Sequence, residues 1–177
     1  MSTPAHSVSP IRARRATPEH RAWRGRGAEC VDGYVAGLGA MLADVHGSIP
    51  EAEFCGVGLL VCRDASALPR WPLTHAQLPQ PDDDVVATIC SVSMLSGPHD
   101  GFHILSQDWA LTHTNQYIAP PVPPDFSLVV GLPGFGARHM SALLASRLPA
   151  VICAGVLNTR RRVLVFADGG LRTQFAP

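Results

Sequence analysis

A single α/β domain, built on a mixed and largely buried β-sheet flanked by helices, is the fold this sequence predicts for residues 29–177. Three observations carry the prediction. Apolar side chains recur at helical spacing between residues 29 and 45; Phe54 to Cys62 is a continuous apolar run of strand length; and two β-rich runs, Ala150–Leu157 and Val163–Phe166, lie near the end of the chain. With 177 residues, 46% of them hydrophobic, there is enough apolar mass for one core plus a tail. No apolar run approaches the length of a membrane span, and the polar, Arg-rich N-terminus lacks the apolar centre of a secretory signal. A cytoplasmic protein with no membrane partner is therefore expected.

Residues 1–28 carry six arginines against Glu19, and the whole chain has no lysine. Without an apolar period, and with Pro4, Pro10 and Pro18, this stretch reads as a disordered basic arm. Contact with nucleic acid is the competing reading. Only Trp23 could stack on a base there, so a solvated tail is preferred. The five cysteines (Cys30, Cys55, Cys62, Cys90, Cys153) show no CxxC spacing, and three lie inside apolar runs, which favours buried thiols over disulfides or zinc.

The first helix rests on Val31, Tyr34, Val35, Leu38, Met41, Leu42 and Val45, with Gly47 and Pro50 to stop it. Gly33, Gly37 and Gly39 weaken it locally and permit close packing on a sheet. Phe54–Cys62 suits a strand covered on both faces. Arg63–Pro81 is Pro-rich and irregular, a functional loop or a short embedded helix. Asp82-Asp83-Asp84 caps a helix over Val85–Leu95; three adjacent acids do not converge on one metal. Phe102–Leu105 and Trp109–His113 flank Ser106-Gln107-Asp108 and form a hairpin that places His103 and His113 on strand faces. No HxH or HxxxH spacing supports a histidine metal centre. Residues 119–136 are Pro-rich, with Ser127–Gly131 as a candidate strand. A helix follows, with Met140, Leu143, Leu144 and Leu148 on one face and Pro149 at its end. Asn158–Arg162 joins the last two β-runs, and Asp168-Gly169-Gly170 supplies a turn.

The chemistry is sought between His99 and Met140. His99-Asp100-Gly101-Phe102 offers a carboxylate at a turn. Gly136-Ala137-Arg138-His139 places two basic side chains in the first turn of a helix, where outward main-chain N–H groups make an anion cradle. One carboxylate facing one phosphate cradle suits phosphoryl or nucleotidyl transfer.

The order His-Asp-Gly, then Tyr117-Ile118-Ala119-Pro120, then Gly-x-Arg-His resembles the diadenylate cyclase domain found at the N-terminus of the DNA-integrity scanning protein. The resemblance runs from about Glu29 to the C-terminus. It implies a nucleotidyltransferase that joins two ATP, or other nucleoside triphosphates, into a cyclic dinucleotide. It further implies Asp100 as the catalytic carboxylate and the ligand of Mg²⁺ or Mn²⁺. Gly101 and Phe102 would line the nucleotide through their backbone, and Tyr117, Ile118 and Pro120 would sit near the base. Gly136, Ala137, Arg138 and His139 would hold the triphosphate, and Asn158 and Thr159 would lie against the nucleotide. Two such domains would face each other, so a homodimer or higher homo-oligomer is implied. Phe102 stands where that family has alanine, Ala137 where it has threonine and Met140 where it has a second arginine. Leu157 and Asn158 fall where it has a Ser-Glu pair. The alternative function is a catalytically degenerate member that binds a nucleotide or cyclic dinucleotide as a sensor or interaction module.

Overall fold

The computed structural model describes residues 30–74, 84–95, 99–124 and 135–177. Among them one sheet is built from β1 (Val57–Cys62), β2 (Arg70–Pro72), β3 (Phe102–Ser106), β4 (Leu111–Ile118), β5 (Val151–Leu157), β6 (Val163–Ala167) and β7 (Gly170–Phe175). Their order is β2-β4-β3-β1-β5-β6-β7. Strands β1 and β3 run parallel, and each of the other neighbouring pairs is antiparallel. The expected mixed sheet is therefore present. Strands β1, β5 and β6 are buried at every position, as strands covered on both faces must be.

Helices α1 (Val31–Ser48) and α2 (Val85–Ser93) cover one face, where Leu38, Met41, Leu42 and Ile89 meet Val57, Leu59, Val61 and Val165. On the other face α3 (Ala137–Ala145) packs Ala142 and Leu143 on Leu60, Ala154 and Phe166. Leu38 and Leu42 close over Gly155, where an added Cβ would sit 2.6 Å from Leu42 Cδ1. Each fully buried leucine contributes about 1.5–3 kcal/mol of transfer free energy, and truncating Leu42 to alanine costs about 2–5 kcal/mol with the cavity. At Gly39 an added Cβ would stand 3.3 Å from the Phe175 ring, the close packing that the small residues predict. No helix among the described residues is long and apolar enough to cross a membrane.

Several boundaries move. Helix α1 continues through Gly47 to Ser48, because burial of Val45 and Ile49 outweighs the cost of one exposed glycine. Residues Phe54–Gly56 lie outside the strand: Phe54 makes an isolated bridge to Met94, and Gly56 takes a φ of 95°. Asp84 caps α2 as expected, accepting from Val86 N and Ala87 N, but the helix ends at Ser93. Trp109 belongs to the hairpin loop, at positive φ and stacked near Tyr34, so β4 begins only at Leu111. Helix α3 ends at Ala145, leaving Leu148 in the following turn and Met140 half-buried. The stretch after Arg63 holds a one-turn helix and the edge strand β2, in which Pro72 is tolerated. Strand β7 was not expected; it follows the turn at Asp168-Gly169, where both residues have positive φ. The basic arm, Asp82-Asp83 and the candidate strand at Ser127–Gly131 lie outside the described residues.

Candidate functional site

Four stretches far apart in sequence meet at one end of the sheet: Cys55-Gly56 before β1, Asp100-Gly101 before β3, the first turn of α3, and Leu157-Asn158 at the end of β5. Arg138 is the piece that joins them. Its Nη2 lies 3.7 Å from Asp100 Oδ1, and its Nη1 donates to Cys55 O at 3.4 Å. Room for the guanidinium exists because residue 56 has no side chain. A Cβ there would stand 2.7 Å from Arg138 Nη1 and 3.2 Å from Leu157 O. Asp100 remains 83% exposed while Arg138 is 23% exposed, so the carboxylate faces solvent and the cation is held from behind. The site lies at the amino ends of the parallel pair β1 and β3. The usual ligand crevice of open α/β sheets lies at the carboxyl ends.

Gly101 occupies a tight turn at φ 85°, where a Cβ would meet Gln116 O at 2.6 Å, so its backbone lies close against β4. Phe102 is buried, and its ring covers Gly58, whose added Cβ would come 2.7 Å from Phe102 Cδ1. Its side chain is a core group on the α3 face of the sheet. Ile118 is likewise a core residue and does not present its side chain to a ligand. Tyr117 on the opposite face is 55% exposed and pairs in register with the exposed Trp71. Pro120 is half-buried; Gly136, Ala137 and Thr159 are exposed. Asn158 Oδ1 is occupied in accepting from Arg160 N and Arg162 N, which fixes the β5–β6 turn.

The expectation of two cations at the helix start needs correcting. His139 is buried, packs on Phe135 at 4.9 Å between ring centroids, and accepts from Gly136 N through Nδ1. Burial first, and the charge of Arg138 second, pull its pKa below the usual histidine value. It is therefore a neutral cap on its own helix. Arg138 supplies the positive charge in the first turn of α3. Arg161 lies over the Phe54 ring at 5.3 Å and donates to His46 Nε2.

A buried polar group that sequence reasoning passed over as an ordinary strand histidine lies just behind Asp100. His103 Nδ1 accepts from Asn115 N at 3.2 Å, and its Nε2 lies 3.0 Å from Ser93 Oγ. Burial, with Arg138 as the lesser cause, pushes His103 down to about 3. Asn115 sits at φ 51° in a β4 bulge, where Thr114 and Asn115 together oppose His103. An asparagine is among the few non-glycine residues that take that conformation readily, which is the one sequence signal available for it.

Among the described residues no three His, Cys, Asp or Glu side chains converge as a metal-binding group. Asp100 alone is a single hard donor, and Mg²⁺ is ordinarily held by one or two carboxylates plus substrate phosphates. Comparison with models of known protein families gives no match to this chain, and no curated protein matches it.

Proposed function

We propose that the chain binds a nucleoside triphosphate at Asp100 and Arg138 and condenses two of them into a cyclic dinucleotide with release of pyrophosphate. The observation that carries this reading is the 3.7 Å approach of Arg138 Nη2 to Asp100 Oδ1 beside an exposed helix start. A phosphate-gripping guanidinium and a carboxylate stand together there. The resemblance of these same motifs, in the same order, to diadenylate cyclase domains gives the direction of the chemistry.

In this reading Arg138 and the first-turn N–H groups of α3 grip the triphosphate and hold the α-phosphorus in place. The incoming 3′-hydroxyl oxygen forms a new bond to that phosphorus, the α–β anhydride bond breaks, and pyrophosphate leaves with the electron pair. Asp100 takes up the hydroxyl proton, which its exposure allows. Asp100 would hold a divalent ion, which would supply charge neutralisation at the reacting phosphate. The neutral His139 keeps the helix start ordered and leaves the phosphates to Arg138. Each domain presents one nucleotide, so two chains meet face to face during the reaction. Holding the two reactants in line is worth roughly 7–11 kcal/mol of the barrier.

Incubating the protein with each nucleoside triphosphate and Mg²⁺ or Mn²⁺, across a dilution series, tests this. A cyclic dinucleotide by mass spectrometry, with activity per chain rising with concentration, is expected. No product with any nucleotide overturns it. The second reading is a degenerate module, favoured by Asp100 standing as one carboxylate and by Asn158 being committed to its turn. It predicts binding without turnover, unaffected by Asp100→Asn.

A further inference from the structure

Behind the exposed pair, six residues close a ring of polar contacts. Arg138 Nη1 donates to Cys55 O at 3.4 Å, and the Cys55 thiol donates to Ser93 O at 3.1 Å. Ser93 Oγ meets His103 Nε2 at 3.0 Å, and His103 Nδ1 accepts from Asn115 N at 3.2 Å. Asn115 Nδ2 then donates to Asp100 O at 3.1 Å, and Asp100 Oδ1 returns to Arg138 Nη2 at 3.7 Å. Because Nδ1 accepts, the ring proton sits on Nε2 and points to Ser93. Ser93, His103 and Asn115 are all buried, with exposures of 1%, 1% and 0%.

We infer that Ser93, His103 and Asn115 are positioning residues that fix the main chain of Asp100 relative to Arg138. The ring passes around the sheet end from α2, on one face, to α3, on the other. Nothing in core packing requires an imidazole at 103, since the neighbouring inward positions Leu59, Val61 and Leu105 are aliphatic. The bulge has a matching role: it turns one β4 residue into the left-handed region and so aims its carboxamide at the Asp100 carbonyl. Groups placed this way are neutral, so they steer the Asp100 backbone without adding charge beside it.

The inference rests on the nucleotidyl-transfer reading for its catalytic meaning, and its test separates the two. Asn115→Gly keeps the positive φ and removes the donor; Ser93→Ala removes the partner of His103. Ser146→Ala, equally buried but bonded to Leu143 O and Gly169 N, is the stability control. For Asn115→Gly and Ser93→Ala, kcat per folded protein is expected to fall by about tenfold to a hundredfold while KM stays within about threefold. Ser146→Ala lowers thermal stability alone. Equal losses of kcat in all three, or none, overturn the positioning role. A readout free of activity is the ¹⁵N NMR spectrum of His103 and Arg138. The Nε2–H tautomer, and slow guanidinium rotation that is lost in Asn115→Gly, are expected. If the wild type makes no product but shows these signatures, the reaction falls and the ring stands. Absence of that tautomer, or unchanged Arg138 rotation, overturns the ring whatever the activity.

Discussion

Replacing Gly56 by alanine separates two effects that the structure places at one atom. The φ of 95° is unfavourable for any residue with a Cβ, which costs about 1–2 kcal/mol of stability. For a domain of this size that lowers Tm by roughly 2–8 °C. The new methyl also stands 2.7 Å from Arg138 Nη1. A guanidinium tip is flexible, so it swings aside at little cost in stability but leaves its place beside Asp100. A charge-assisted contact to phosphate is worth about 1.5–3 kcal/mol, so triphosphate binding should weaken by roughly tenfold to a hundredfold. Calorimetric titration with a non-hydrolysable triphosphate, alongside thermal melts, reads both effects. Arg138→Ala should weaken binding to a similar degree, and the double variant should bind no worse than Arg138→Ala alone. The double variant should keep the Tm loss of Gly56→Ala, because the φ penalty does not depend on residue 138. Full binding by Gly56→Ala, or multiplied binding losses in the double variant, would refute the placement of Arg138 as the phosphate-gripping group.

Further outcomes follow from single contacts. Asp84→Ala should cost about 1 kcal/mol through loss of the two bonds that start α2, and Asp84→Asn should cost much less; urea midpoints check it. His103 is depressed from the usual 6.5 to about 3, mainly by burial, so below pH 6.5 the unfolded chain binds a proton that the folded one refuses. Its contribution is complete above pH 6.5 and is lost as pH falls towards 3, at up to about 1.4 kcal/mol per pH unit. His103→Gln should flatten urea stability between pH 7 and 5, and an unchanged slope would contradict the burial. Thiol labelling should modify Cys30 quickly and Cys55 slowly. Cys62, Cys90 and Cys153 are buried, with the first two pushed up to about 12, and should react only on unfolding. Mass spectrometry of labelled peptides counts them.

Core elements were legible because their residues obey one period. The α1 stripe and the unbroken run of β1 admit one reading each. Strand β7 was missed because Gly170–Phe175 alternates with mostly exposed side chains, and its pairing to β6 is a tertiary choice. Of the candidate site, Arg138 is proposed from helix-start chemistry and Asp100 from the resemblance, and the structure brings the two within 3.7 Å. The reversal of His139 into a neutral cap depends on Phe135 and local burial, which no spacing rule reports. Cys55, Gly56, Ser93 and Asn115 acquire meaning only when β1, α2 and the β4 bulge meet at the end of the sheet. A positive-φ asparagine inside a strand leaves no periodic trace.

The central claim is that Asp100 and Arg138 are two halves of one site that transfers a nucleotidyl group. Turnover of ATP, followed by chromatography with mass detection, is the direct test, with wild type, Asp100→Asn and Arg138→Ala at matched folded concentration. The wild type should form a cyclic dinucleotide and pyrophosphate in step. Asp100→Asn should bind nucleotide yet form no product, and Arg138→Ala should show weakened binding and reduced turnover together. Product formation at wild-type rate by either variant would contradict the account.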